Sequence, residues 1–370
     1  MHNLNSIRPG IVPSICRLLG LWLLVSLMSG CAVDYAAFKQ QRMAFQSGNN
    51  KLLGTLVTPR ETAGPVPVLI FVHGDGELNF DAFGYYRPFW EQLAARGIGA
   101  FVWDKPGVGG STGNWLDQTM EDRAAEVNDA IQFLQSQQEH PISRIGLIGF
   151  SQAGWVMPRI NADELGLCCM IFVSTAVDWQ DQGDYLTRQR LLNEGLAKEE
   201  INRYLQEKEK LNRQLFKSTA TYDDYEEWYT RSESDALKSG KLTPERFRFV
   251  QQNWKANATK GLKDLKVPIL VLFGEDDLNV DAKTNARRYR ELFASSGHSD
   301  YTVEIFADAT HGLTSSDYLN RQLPGFTEVA MIHLMGEKWF ASGALQLIAE
   351  WAAGKFQMSD QRTSRATNAD

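Results

Sequence analysis

The sequence predicts a doubly wound α/β fold with one inserted helical segment. Three observations lead there. From residue 66 onward, short apolar runs rich in β-branched residues alternate with amphipathic stretches, the rhythm of parallel strands joined by helices. The runs are apolar nearly throughout, so both faces must be buried, as in a central parallel sheet. The rhythm breaks once, over 178–262, where 30 of 85 residues are charged against 22% overall.

Residues 1–17 carry His2, Arg8 and Arg17 and no acid, and an uncharged apolar run follows over 18–28. Its 11 residues are too few for a permanent span of the ~30 Å hydrocarbon core. A basic start, a short apolar stretch and Ser29-Gly30-Cys31 read as a signal peptide over 1–30. Ser29-Gly30-Cys31 also resembles a bacterial lipobox, with Met28 where Leu is usual. That resemblance implies a lipid on Cys31 and membrane contact through it. Ala32 after the cysteine, rather than Asp, implies an outer-membrane location facing the periplasm.

Next, 38–45 and 51–58 alternate in polarity around Ser47-Gly48-Asn49-Asn50 and predict an antiparallel hairpin at the sheet edge. Strands are expected over 66–72, 97–103, 142–150, 167–175, 267–273 and 301–306. Helices are expected over 87–95, 120–137, 154–163, 284–293 and 328–352. Within 178–262, Ile201, Tyr204, Leu205, Leu211, Leu215 and Phe216 recur at helical spacing. This segment reads as a helical cap, its helices each laying one apolar stripe over the core. The cap divides a core of 31–177 and 263–355. The polar stretch 356–370 lacks a pattern and is expected to be disordered.

Composition narrows the function. Lys plus Arg number 38 against 45 Asp plus Glu, a net charge of −7, so no basic field exists to attract nucleic acid. Four cysteines make no disulfide framework. Cys168 and Cys169 fall in an apolar run and read as inert core thiols. No His/Cys cluster has metal-ligand spacing, and no cofactor is expected.

The motif richest in chemistry is Ile145-Gly146-Leu147-Ile148-Gly149-Phe150-Ser151-Gln152-Ala153-Gly154. A strand ends, a serine follows between small residues, and a helix is expected to start. So tight a turn tolerates only small residues two positions either side of the serine. This is the nucleophile elbow G-x-S-x-G, with Ala153 in place of the second glycine. Phe71-Val72-His73-Gly74-Asp75-Gly76 follows a buried strand, and its glycines can expose backbone N–H groups. An oxyanion hole needs two such donors; those of Asp75 and Gln152 are the candidates. Asp75 must then turn its carboxylate away, and His73 reads as structural. Asp104-Lys105-Pro106-Gly107-Val108-Gly109-Gly110-Ser111-Thr112-Gly113 lacks the Gly-Lys-Ser/Thr of a phosphate loop and reads as a turn that shapes the site.

Ser151 needs a base, and the base an orienting acid. Of six histidines, His2 falls in the signal. His140 and His298 lie in loops before strands, and His333 in a helical pattern. His311 follows the last strand, where catalytic groups of open α/β sheets gather. The acid should follow 267–273, where Glu275, Asp276, Asp277 and Asp281 cluster; spacing alone does not separate them.

Together these motifs resemble the α/β-hydrolase fold, specifically bacterial serine esterases and lysophospholipase-like enzymes related to prolyl-oligopeptidase-type peptidases. The resemblance spans about 40–352, rests on His73-Gly74, the turn from Asp104 to Ser111, Ser151, Gly274-x-x-Asp277 and His311-Gly312, and keeps the order Ser, Asp, His. It implies that Asp277, three residues after the strand-ending glycine, is the acid. It also implies ester hydrolysis through an acyl-enzyme, with a small-molecule ester or acyl substrate. Lys105 stands where Arg is common. A peptidase, acyltransferase or thioesterase could use the same residues, and a non-catalytic envelope lipoprotein is the remaining alternative.

Overall fold

The computed structural model describes residues 35–62, 64–217, 219–231 and 241–367. The signal and Cys31 lie outside the described residues. Eight strands form one sheet in the order β1-β2-β4-β3-β5-β6-β7-β8. β1 (Phe38–Ser47) and β2 (Asn50–Pro59) make the expected edge hairpin. β2 also runs antiparallel to β4 (Gly99–Trp103). β3 (Val66–Val72), β5 (Ile142–Phe150), β6 (Met170–Val173), β7 (Ile269–Gly274) and β8 (Tyr301–Phe306) are parallel to their neighbours, as is β4 to β3. β4, β6 and β7 are buried along their whole length, which explains their unbroken apolar sequence.

Helices cover both faces and divide the core into two apolar clusters. One holds α2 (Met120–Gln135) and α8 (Ala282–Ser295), through residues such as Val127, Ile131 and Phe293. The other holds α1 (Arg87–Ala94) and α10 (Ala344–Thr367), through Trp90, Phe89 and Ile348. Among the described residues no helix is long and apolar enough to cross a membrane.

Between β6 and β7 come α3 (Trp179–Asn193), α4 (Lys198–Leu215), α5 (Tyr222–Arg231), α6 (Pro244–Asn253) and α7 (Thr259–Asp264). The stripe from Ile201 to Phe216 serves the cap itself. Ile201 and Leu205 pack on Leu191, and Leu215 and Phe216 on Tyr225 and Phe247. Long charged helices have too few neighbours to spare an apolar face, so they spend it on one another.

Three other expectations fail. The helix expected over 154–163 is two short 3-10 turns, Ser151–Trp155 and Met157–Arg159. Pro158 removes a backbone donor and clashes with the turn before it, which prevents an α-helix from propagating. The helix expected over 328–352 is interrupted. α9 (Phe326–Met335) ends at Gly336, at φ 55°, and α10 begins after Gly343, at φ 79°; both positions need the left-handed backbone that glycine takes without penalty. The tail expected to be disordered from residue 356 is helical through Thr367. Phe356 is buried in the core, and extending a formed helix costs far less than nucleating one.

Candidate active site

Ser151 sits directly after β5 with φ at 49°, a left-handed conformation costly for a residue with a Cβ. Its neighbours explain how the turn closes. A Cβ on Gly149 would lie 2.7 Å from Ala153 Cβ and 2.2 Å from Met157 Sδ. Ala is therefore tolerated at 153 because 149 is glycine. A Cβ on Gly154 would strike Thr175 Cβ at 2.6 Å, so the chain after Ser151 presses against the end of β6.

The loop after β3 reaches the same place. A Cβ added to Gly74 would lie 3.3 Å from Ser151 Cβ. Buried cations hold this loop from behind. Lys105 Nζ donates to the carbonyls of Gly74 (3.0 Å) and Gly76 (2.9 Å). Arg123 Nη2 donates to His73 O at 2.6 Å, and its Nη1 to Gln152 Oε1 at 2.5 Å. The peptide whose carbonyl is held at Gly74 carries the Asp75 N–H on its opposite edge. Among the described residues, no acceptor engages the N–H of Asp75 or of Gln152.

Burial, and then the charge of Arg123, push the Lys105 ammonium well below its usual range. Burial likewise lowers Arg123, and it raises Glu126, whose carboxylate takes hydrogen bonds from Trp103 Nε1 and from Gln118 Nε2 (2.6 Å). His73 is buried between Tyr86 Oη (3.1 Å) and Trp103 O (2.6 Å). Burial drives its pKa to about 3, so it is a neutral structural histidine.

His311 Nδ1 lies 2.8 Å from Asp277 Oδ2. Oδ1 of the same carboxylate accepts from the N–H groups of Asn279 (2.7 Å) and Val280 (2.9 Å). Asp277 is buried and His311 partly open. Gly274 makes the approach feasible: a Cβ there would lie 2.2 Å from Thr310 O. The remaining acids have other partners. Asp276 accepts from Ser316 Oγ at 2.6 Å, Asp281 caps α8 through Thr284 N at 2.9 Å, and Glu275 pairs with Lys283 at 2.9 Å. Geometry thus singles out the carboxylate that spacing left open.

Among the described residues, no hydrogen bond joins Ser151 Oγ to His311. Their loops meet across Tyr85. Its ring packs edge-on to Phe150 at 5.8 Å between centroids, and its hydroxyl donates to Gly312 O at 2.7 Å.

Sequence reasoning missed Tyr85, Arg123 and Arg246. Tyr85 carries no local signal. Arg123 did: with Met120, Val127, Ile131 and Leu134 it shares the buried face of α2, and a cation on an apolar face needs buried acceptors. Arg246, on α6, binds both oxygens of Asp75, and that carboxylate also takes a hydrogen bond from the backbone of Gly76. Burial alone would raise the Asp75 pKa, but Arg246 outweighs it and holds it low.

Solved structures share this architecture. The Pyrococcus furiosus esterase Pf2001 matches with TM-score 0.53 and 16% identity over 85% of this chain and 90% of its own. Est1E from Butyrivibrio proteoclasticus with bound ferulic acid matches with TM-score 0.50 and 14% identity, over 86% and 98%. Proline iminopeptidase from Mycobacterium smegmatis matches with TM-score 0.50 and 15% identity, over 86% and 100%. At such identities the likeness is one of fold. No curated protein matches. The family model described as serine aminopeptidase, S33, matches residues 63–317. With its eight-stranded, mostly parallel sheet, the chain belongs to this family of α/β-hydrolase-fold hydrolases.

Proposed function

We propose that the protein is a serine hydrolase that cleaves carboxylic esters. Ser151 attacks the ester carbonyl as His311 takes its proton. Asp277 holds the His311 ring and stabilises the imidazolium that forms. The N–H groups of Asp75 and Gln152 receive the developing oxyanion. His311 returns the proton to the leaving alcohol, then activates the water that releases the acid. The observation that carries this reading is the His311–Asp277 hydrogen bond at 2.8 Å, made by one of four neighbouring acids while the others are engaged elsewhere.

An ester is favoured over an amino-terminal peptide by the state of two nearby carboxylates. An aminopeptidase needs an anion to receive the substrate ammonium. Asp75 is taken by Arg246, and Glu126 by Trp103 and Gln118. As part of the same reading, Cys31 carries lipid and holds the enzyme at the outer membrane facing the periplasm. The supporting feature is Ser29-Gly30-Cys31 after an apolar run.

The test is a panel of p-nitrophenyl esters of rising chain length beside aminoacyl p-nitroanilides. Ester turnover with little anilide turnover supports the proposal. The reverse preference overturns it in favour of a peptidase.

A further inference from the structure

α9 is an apolar helix that packs only part of its surface on the core. Its sequence from Phe326 includes Val329, Ala330, Met331, Ile332, Leu334 and Met335, yet only Ile332 is fully buried. Phe326 is 84% exposed, and Leu323, just before the helix, 82%. Water gains nothing from such residues, and a contiguous apolar patch on a surface usually marks a docking face. Phe83 lies in the loop against α9. The next residue, Gly84, lies against the His333 ring of α9, while Phe83 itself is 50% exposed. Ala82 and Phe83 hold left-handed φ angles of 48° and 57°, so the backbone is strained at a point that presents an aromatic ring to solvent.

Two relationships say what covers this face. First, the chain emerges beside it. Tyr35 lies close enough to Arg87, Glu91 and Glu337 to feel their charges, and Ala37 N donates to the Glu91 carboxylate at 3.2 Å. Glu337 stands two residues beyond the end of α9. Tyr35, Met331 and Met335 pack on the same core cluster. Cys31 is four residues upstream of Tyr35, a reach of at most roughly 14 Å. A lipid on Cys31 would therefore hold the α9 side of the molecule at the bilayer. Second, the patch borders the site. Between His311 and α9 the chain is stitched to the acid loop: Asn320 Nδ2 donates to Asp276 O (2.7 Å), Gln322 Nε2 to Leu278 O (2.9 Å), and Asn279 Nδ2 to Gln322 O (2.9 Å).

We propose that α9, Leu323 and Phe83 form a membrane-docking face that lies in the lipid interface and brings bilayer-dissolved acyl esters to Ser151. The inference rests on the ester and lipid-anchor readings given above and names the substrate class they serve. Binding is by apolar insertion, since the charges around the patch are mixed: Arg321 and Lys338 against Glu328 and Glu337.

The test uses the full, anchored protein in phosphatidylcholine vesicles. An environment-sensitive fluorophore is placed on Phe326→Cys or, as control, on Leu192→Cys of α3, which is 38% exposed. Quenching by doxyl-labelled lipid at 326 but not at 192 is expected. In parallel, the double variant Leu323→Asp, Phe326→Asp should turn over a long-chain ester dissolved in the vesicles at least ~tenfold more slowly, because insertion of two large apolar side chains is lost. Its rate on water-soluble p-nitrophenyl acetate should be unchanged. No quenching at 326 overturns the proposal. So does a dimer that the double variant converts to monomer, which would mean that a second copy covers the patch. Absence of ester hydrolysis by the wild type defeats the ester reading alone, because quenching needs no turnover. The mass of the N-terminal peptide reports the anchor separately.

Discussion

Arg246 of the cap grips Asp75 of the loop beside Ser151 with both terminal guanidinium nitrogens, one at 2.8 Å. Its guanidinium also lies over the rings of Phe249 (4.8 Å) and Trp115 (5.6 Å), and Lys105 lies over the same Trp115 at 4.6 Å. The cap and the loop after β3 thus share one cluster of cations and rings. With Arg246 in place, the charge of the Asp75 carboxylate is compensated by the guanidinium. Without it, a free anion would face the site where the proposed mechanism develops negative charge.

That relationship predicts a rescue. Arg246→Ala should lower kcat on p-nitrophenyl esters by ~10-fold or more through electrostatic opposition. Stability should change by under ~1 kcal/mol, as for a partly exposed pair. Asp75→Asn added to Arg246→Ala should restore most of the loss. Steady-state kinetics on the three variants decide it; a double variant worse than Arg246→Ala would show that the pair matters through packing alone.

The two adjacent aspartates should separate sharply. Asp277→Asn should cost ~10³–10⁴ in kcat with the fold intact, because His311 would adopt the wrong tautomer. Asp276→Asn should cost only a few-fold, since that side chain meets Ser316 and not His311. Equal losses would mean that the acid loop acts as a unit.

Strain at the nucleophile should be measurable as stability. Ser151→Gly relieves the left-handed backbone at φ 49° and should raise unfolding free energy by ~1 kcal/mol while abolishing turnover. Ser151→Ala keeps the Cβ and should leave stability near wild type. Urea unfolding that ranks Gly below Ala would refute the strained turn.

His73 should make the fold acid-sensitive. Its folded pKa of about 3 lies below the ordinary 6.5, so folding favours the neutral ring. That contribution is complete above pH ~6.5 and is lost as pH falls toward ~3, at up to ~1.4 kcal/mol per pH unit. His73→Asn should be less stable at pH 7 and lose stability less steeply between pH 6 and 4. Parallel slopes in urea midpoints would contradict a buried neutral His73.

Much of this was legible in the sequence, for identifiable reasons. Buried parallel strands announce themselves as unbroken apolar runs, and the elbow's small residues at Gly149 and Ala153 are imposed by one local clash. The acid was left open by spacing because Glu275, Asp276, Asp277 and Asp281 differ only in where the folded chain sends them. Apolar periodicity predicts a helix after Ser151, but Pro158 breaks it into 3-10 turns. Arg246 was invisible for a deeper reason: its partner lies 171 positions away, and nothing local in an exposed-looking arginine of a charged segment marks it.

The most direct measurement is intact-mass analysis of the folded protein after exposure to a fluorophosphonate. The account predicts one stoichiometric adduct on the wild type, mapped to Ser151. It predicts none on Ser151→Ala and labelling slowed by several orders of magnitude on His311→Ala, because the serine and its base act as one unit. An unlabelled wild type, or an adduct that persists on Ser151→Ala, would contradict it.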